Sequence, residues 1–191
     1  LTLTAGTVLA AGDIYTVQKG DSLWKIAVRY QIGLDEIIAA NPQFKDPNLI
    51  YPGQKVTVPN IDAVKSIEAE VIRLTNAERA KYGLKALTAN WELSRVARYK
   101  SEDMRDNHYF SHTSPVYGGP FQMMSDFGIQ YSAAGENIAK GYSTAAAVVQ
   151  GWMNSPGHRA NILNAGFTQI GVGTATDNSG TRYWTQMFMR P

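Results

Sequence analysis

Histidine changes charge near neutral pH, and this chain holds three: His108, His112 and His158. His112 sits in Phe110-Ser-His-Thr-Ser-Pro115, just ahead of a proline-directed turn. His158 sits in Ser155-Pro-Gly-His-Arg-Ala-Asn-Ile-Leu163, in the first turn of an expected helix. Between them, Gly135-Glu-Asn137 sets a carboxylate beside a glycine, where another group can approach closely. Two imidazoles and a carboxylate suit a divalent, zinc-like ion with positions left for water. A carboxylate also holds one histidine tautomer and raises its pKa, which suits acid–base work. The same residues could equally form a buried polar network that only fixes the fold.

Ser155, three residues before His158, invites a nucleophile reading. A serine directly before a helix-starting proline is usually spent on capping, so Ser155 is expected to cap. His108 and His112 form His-x-x-x-His, but no glutamate follows in the metalloprotease arrangement, and that spacing is coincidental.

The elements around these residues divide the chain of 191 residues into segments. A net charge of +2 without a run of Lys or Arg excludes a strong nucleic-acid partner. With no cysteine, no disulfide framework exists. Residues 1–12 are apolar and small, with an A-x-A-like site near residues 8–11, and read as a signal-peptide remnant or leader. No other run approaches the roughly 20 apolar residues needed to cross a bilayer, so no transmembrane segment is expected.

Residues 13–59 are dense in turn residues. Ile14-Tyr-Thr-Val17 alternates as a strand, and Asp21 or Ser22 can cap a following helix. Leu23, Ile26, Ala27 and Tyr30 share one helical face. Gly33 is expected to break that helix through a positive φ. Leu34, Ile37 and Ile38 line a second helix, Asn41-Pro42 stops it, and Lys55-Val-Thr-Val58 returns as a strand. The order is βααβ.

This segment resembles a LysM domain. The resemblance rests on Tyr15-Thr-Val-Gln-Lys-Gly-Asp-Ser-Leu-Trp-Lys-Ile-Ala27, Asn41-Pro42 and Asn48-Leu-Ile-Tyr-Pro-Gly-Gln-Lys-Val-Thr-Val-Pro59. It implies binding of N-acetylglucosamine-containing glycans such as peptidoglycan or chitin. The implied groove has Gly20, Asp21, Ser22 and Leu23 on one side, and Asn48, Leu49, Ile50 and Tyr51 on the other. Backbone amides can hold acetamido groups while apolar side chains cover the C–H face of a sugar.

Residues 60–66 read as a linker, and residues 67–191 as a second domain. A helix is expected from about Ser66 to Tyr82, another from the cap Asn90, and a third from Ser143 or Thr144. Gln169-Ile-Gly-Val-Gly-Thr174 and Arg182-Tyr-Trp-Thr-Gln-Met-Phe-Met189 read as a hairpin around Asp177-Asn-Ser-Gly180. Helices first and strands last indicate an α+β class, with Tyr183, Trp184 and Phe188 in the sheet core.

Residues 67–191 are similar to a CAP domain of the bacterial SCP-like branch. The matching pieces are Asn76-Ala-Glu-Arg79, Phe110-Ser-His112, Gly135-Glu-Asn-Ile138, Trp152-Met-Asn-Ser-Pro-Gly-His-Arg-Ala-Asn-Ile-Leu163, Ile170-Gly-Val-Gly173 and Tyr183-Trp-Thr-Gln186. The resemblance implies an α-β-α sandwich with a cavity that holds two histidines and two glutamates in eukaryotic members. His112, Glu136 and His158 match three of the four, and Ser155 stands at the fourth. The implied protein is secreted and associated with a cell wall or spore envelope. LysM binds glycan, and the cavity serves a metal, a lipid-like ligand or a protein partner. The alternative is a wall hydrolase or protease using His112, Glu136 and His158. With one carboxylate missing and no activated nucleophile evident, the residues favour binding over catalysis.

Overall fold

The computed structural model describes residues 10–191. Two compact units divide the chain between residues 63 and 64.

In the first unit, β1 (Ala10–Thr16) pairs antiparallel with β2 (Lys55–Asn60), placing Tyr15 opposite Val56. Helix α1 (Leu23–Tyr30) starts at Ser22, whose Oγ accepts the Lys25 N–H at 3.2 Å. Its buried residues Leu23, Ile26 and Ala27 pack on Val56, Val58 and Ile37, the last from α2 (Leu34–Ala39). The left-handed residue that ends α1 is Gln31 at φ 52°, not Gly33, which has φ −74° and precedes α2. The Gln31 and Ile32 N–H groups already close on the last carbonyls of α1, so the chain needs no glycine there. Asn41 does more than stop a helix. Its Nδ2 donates to the Ile37 and Thr57 carbonyls at 2.8 and 2.7 Å, and its Oδ1 accepts the Thr57 N–H at 2.7 Å. A single buried amide thus stitches α2 to β2.

The leader read at residues 1–12 lies outside the described residues as far as residue 9, and Ala10 opens β1. Most of the linker read at 60–66 is helical, because α3 begins at Asp62 (Asp62–Lys81). Asn60 Oδ1 accepts the Asp62 N–H at 2.9 Å, a local turn that feeds the chain directly into the helix.

The second unit continues with β3 (Thr88–Ala89), α4 (Trp91–Asp106), α5 (Pro120–Asp126), β4 (Ala133–Lys140), α6 (Ala145–Met153), α7 (Pro156–Ile162), β5 (Gln169–Thr176) and β6 (Arg182–Arg190). The sheet order is β3-β5-β6-β4, with β3 parallel to β5 and the other pairs antiparallel. Alternation along the strands sorts side chains onto two faces. Ile170, Val172, Trp184 and Phe188 join Val71 of α3, Val148 and Trp152 of α6 and Ile162 of α7 in one core. Met187 and Met189 join Leu93, Val96 and Ala97 of α4 and Met123 and Met124 of α5 in another. The sheet therefore lies between two helical layers, an α-β-α sandwich of the α+β class.

On β5 two of the α4-facing positions, Gly171 and Gly173, are glycines. A Cβ on Gly173 would stand 2.0 Å from the Arg98 backbone N, and one on Gly171 would stand 2.3 Å from the Leu93 carbonyl carbon. Helix α4 rests directly on the strand backbone.

Candidate functional site

Glu136 and Asn137 are neighbours on β4, the edge strand, and point to opposite faces. Glu136 lies opposite Met187, on the α4 side of the sheet. Asn137 lies opposite Gln186, on the other side. The site is built around this edge from both faces.

On the α4 side, the segment carrying His112 is pinned to α4. Lys100, fully buried, donates from Nζ to the His112 carbonyl at 2.9 Å and to the Tyr109 hydroxyl at 3.0 Å. The Tyr109 hydroxyl donates to Asp103, as does Ser114 Oγ at 2.6 Å, and Ser114 Oγ accepts the Val116 and Tyr117 N–H groups. Burial pushes the Lys100 ammonium below its ordinary pKa, opposed by the charges of Glu136 and Asp103. Burial and the bond to Asp103 push the Tyr109 phenol up.

So held, His112 sets Nδ1 2.7 Å from Glu136 Oε1. The His112 side chain is 53% exposed, while that of Glu136 is 2% exposed. Glu136 Oε2 is buried and has no hydrogen-bond partner among the described residues. The bond to Glu136 raises the His112 pKa, against the opposing effect of partial burial.

On the far side, α7 presents His158. Asn137 Nδ2 donates to the His158 carbonyl at 3.1 Å, and Asn161 Nδ2 donates to the Glu136 carbonyl at 3.1 Å and to Asn137 Oδ1 at 2.9 Å. These bonds dock α7 against the strand that carries Glu136. Burial, then the charge of His112, lowers the His158 pKa.

Ser155 departs from the capping role expected of it. Its side chain makes no cap bond, and its Oγ lies 2.8 Å from His158 Nδ1. The structure therefore gathers His112, Glu136, Ser155 and His158 around one strand edge, and leaves out His108, an exposed residue at φ 53°. Lys100, Asp103 and Tyr109 are supports that sequence reading missed. Nothing in helical periodicity singles out a lysine whose ammonium is buried by a later loop.

The four side chains are committed in pairs, Nδ1 of each ring to a different partner. No group of three His, Cys, Asp or Glu side chains among the described residues is arranged to hold a metal ion.

In the first unit the loop after β1 and the loop before β2 are joined at their bases. Val17 N–H donates to the Gln54 carbonyl and Gly53 N–H to the Val17 carbonyl, both at 2.9 Å. Leu49 and Tyr51 are 54% and 56% exposed, and Gly20 is exposed at φ 90°. Asn48 is also exposed, and its N–H and Nδ2 both reach Asp46 Oδ1. Leu23 is a core residue, Ile50 packs against that core, and Ser22 is the cap of α1. Asp21 is engaged internally: its carboxylate accepts the Tyr15 hydroxyl at 2.7 Å and the Gln18 N–H at 2.8 Å, with Arg29 at 3.4 Å. Those bonds lower its pKa, Tyr15 contributing most.

The family model for CAP, the cysteine-rich secretory protein family, matches residues 72–188. The chain belongs to that family. A LysM domain model matches residues 15–59, and the LysM domain is a glycan-binding module. The CAP part is 56% identical over 127 residues to the protein YkwD of Bacillus subtilis, covering 66% of this chain and 48% of YkwD. The LysM part is 49% identical over 47 residues to the spore coat assembly protein ExsA of Bacillus cereus, covering 25% of this chain and 7% of ExsA. The crystal structure of an extracellular SCP-domain protein from Bacillus anthracis superposes with a TM-score of 0.62 at 38% identity, covering 73% of this chain and 47% of that one. The chain thus spans less than half the length of these relatives. No helix among the described residues is long and apolar enough to cross a membrane.

The His112–Glu136 pair gives the CAP site a pH signature. Because the folded His112 pKa is raised, its stabilisation is fully present below the ordinary value of about 6.5 and is lost as pH rises through the folded value. His158, shifted the other way, opposes folding as pH falls below about 6.5. Glu136→Gln is expected to bring the His112 titration down toward that ordinary value, read from the imidazole proton resonances. It should also make the protein less tolerant of acid than the parent, because the burial of His112 and the charge of Lys100 then act in the same direction as the His158 shift. An unmoved His112 titration would show that the pair does not govern it.

Proposed function

We infer that this is a secreted protein tethered to a cell wall or spore envelope by its LysM module. The module binds N-acetylglucosamine-containing glycan, with peptidoglycan the first candidate. The CAP domain then presents the His112, Glu136 and His158 edge to a ligand or protein partner. The observation that carries the reading is the exposed pair Leu49 and Tyr51 on the loop before β2, whose end is hydrogen-bonded to Val17 at the start of the loop after β1. Exposed apolar side chains such as these suit the C–H face of an acetylated sugar. The spore coat assembly role named for ExsA supports an envelope setting, and the extracellular Bacillus anthracis protein supports export.

Within the proposed groove the roles differ. Gly20, Asn48, Leu49 and Tyr51 are open to a ligand. Leu23 and Ile50 serve the core, and Asp21 and Ser22 brace the first loop. At the CAP edge, buried and unpartnered Glu136 Oε2 favours an occupant that donates a hydrogen bond or carries positive charge. A zinc-like ion would be one such occupant, and Glu136 Oε2 is the atom that would meet it.

The full chain is expected to sediment with purified peptidoglycan, while the double variant Leu49→Ala, Tyr51→Ala loses about tenfold or more in affinity, the loss of one or two good apolar contacts. Both side chains are exposed, so the thermal transition should stay in place. Undiminished sedimentation of the double variant would move the binding surface elsewhere. Chitin run in parallel distinguishes the two polymers.

A further inference from the structure

The geometry points to Ser155 as an acyl-accepting nucleophile, with His158 as its base, acting on carboxylic esters. Three other helices begin with a capping side chain, and each behaves as such a residue should. Ser22 accepts from the Lys25 N–H, Asn90 from the Leu93 N–H and Thr144 from the Ala147 N–H. Ser155 occupies the same position on α7, in the same extended backbone region, yet sets its Oγ 2.8 Å from His158 Nδ1. An N-cap serine that forgoes the backbone leaves a first-turn amide uncompensated by its side chain. The side chain is instead placed for proton transfer.

The pair is held rigidly from both ends. Pro156 follows Ser155 at the first helical position, where its ring fixes φ. Ser155 N–H donates to the Trp152 carbonyl at 3.1 Å, and the Ser155 carbonyl accepts the Arg159 N–H at 2.8 Å. The His158 carbonyl is held by Asn137 from β4. Ser155 and His158 are both half-buried, so a substrate can reach them while the bond between them is preserved. The second glutamate that the eukaryotic relatives were expected to carry is replaced here by this hydroxyl, which changes the chemistry available from carboxylate to alcohol.

The step balances with water as the only co-reactant. Ser155 Oγ passes its proton to His158 Nδ1 and bonds to the ester carbonyl carbon. The carbon–alkoxy bond breaks, and the alkoxide leaves with the proton from His158. Water then gives a proton to His158, its oxygen bonds to the acyl carbon, and the bond to Ser155 Oγ breaks with the proton returned. An alcohol and a carboxylic acid are released. Resting on the glycan-binding reading, the esters in range are O-acyl groups of the polyol polymer that the LysM module holds, at a raised local concentration.

The test uses the unaltered full chain with a fluorophosphonate probe, which phosphonylates activated serines, followed by peptide mass spectrometry. Ser155 is expected to label about a hundredfold faster than the other serines, the lower range of general-base assistance, and only in the folded chain. Hydrolysis of p-nitrophenyl acetate should fall to background in Ser155→Ala and in His158→Gln. Labelling spread evenly over the serines, or turnover unchanged in Ser155→Ala, overturns the proposal. The labelling arm needs no variant, so a misfolded substitution cannot decide the result. Sedimentation with peptidoglycan, measured in parallel, separates the two readings. Binding without labelling removes the dyad alone, and labelling without binding removes the polymer as its substrate.

Discussion

Gly173→Ala is expected to destabilise the CAP domain by about 3 kcal/mol or more, at or beyond the upper end for overpacking a close-packed interior. The added methyl would stand 2.0 Å from the Arg98 N, 2.2 Å from the Ala97 carbonyl carbon and 2.3 Å from the Arg98 Cα. All three are backbone atoms of α4, so no side-chain rotation relieves the clash. The helix must lift from the sheet, and with it go the contacts of Leu93, Val96 and Ala97 with Met187 and Met189. Helix α4 also carries Lys100 and Asp103, which fix the His112 segment. A partly folded variant should therefore lose the elevated His112 titration together with its stability. Urea unfolding followed by tryptophan fluorescence reads the first effect. A midpoint equal to the parent's would mean that α4 does not rest on β5 as described.

Glu68→Ala should cost a similar amount, about 3–5 kcal/mol, the range for removing one member of a buried ion pair. Arg98 Nε and Nη2 donate to the two Glu68 oxygens at 2.9 and 2.8 Å, and the side chains are only 6% and 4% exposed. Glu68 Oε1 also accepts the Thr174 N–H at 3.3 Å. One carboxylate thus ties α3 to α4 and to β5, and its removal leaves the guanidinium without its forked acceptor in the interior. Replacing both partners, Glu68→Met with Arg98→Met, should recover much of the loss, because the cost lies in the stranded charge rather than in the missing attraction. A double variant as unstable as the single one would show instead that packing volume sets the cost.

Much of the fold was written in local pattern. The stripe Leu23, Ile26, Ala27 and the hairpin of Gln169–Thr176 with Arg182–Arg190 have strong periods, and each became the element expected. Strand β4 had no such pattern. Its sequence Ala-Ala-Gly-Glu-Asn-Ile-Ala-Lys lacks alternation and is nearly free of β-branched residues, yet it pairs with β6 along its whole length. Its strand state comes from its neighbour, which is why Glu136 was legible as a candidate and its position at a sheet edge was not. Gly33 and Ser155 show the converse. Both were assigned by the usual habit of their residue type. In each case a neighbouring local bond that the residue type does not announce took over: the closing amides of Gln31 and Ile32 for the first, the His158 ring for the second.

By itself the sequence determined the two-domain plan, the α+β class, and which side chains could carry chemistry, because composition, period and motif spacing are local properties. Tertiary structure alone decided which of those side chains meet. Glu136 was given to His112, Asp21 was drawn into a brace with Tyr15 and Arg29, and Lys100 was sealed beneath the loop it holds. A hydrogen bond between residues far apart in the chain exists only once packing has fixed both ends. No local pattern encodes that choice.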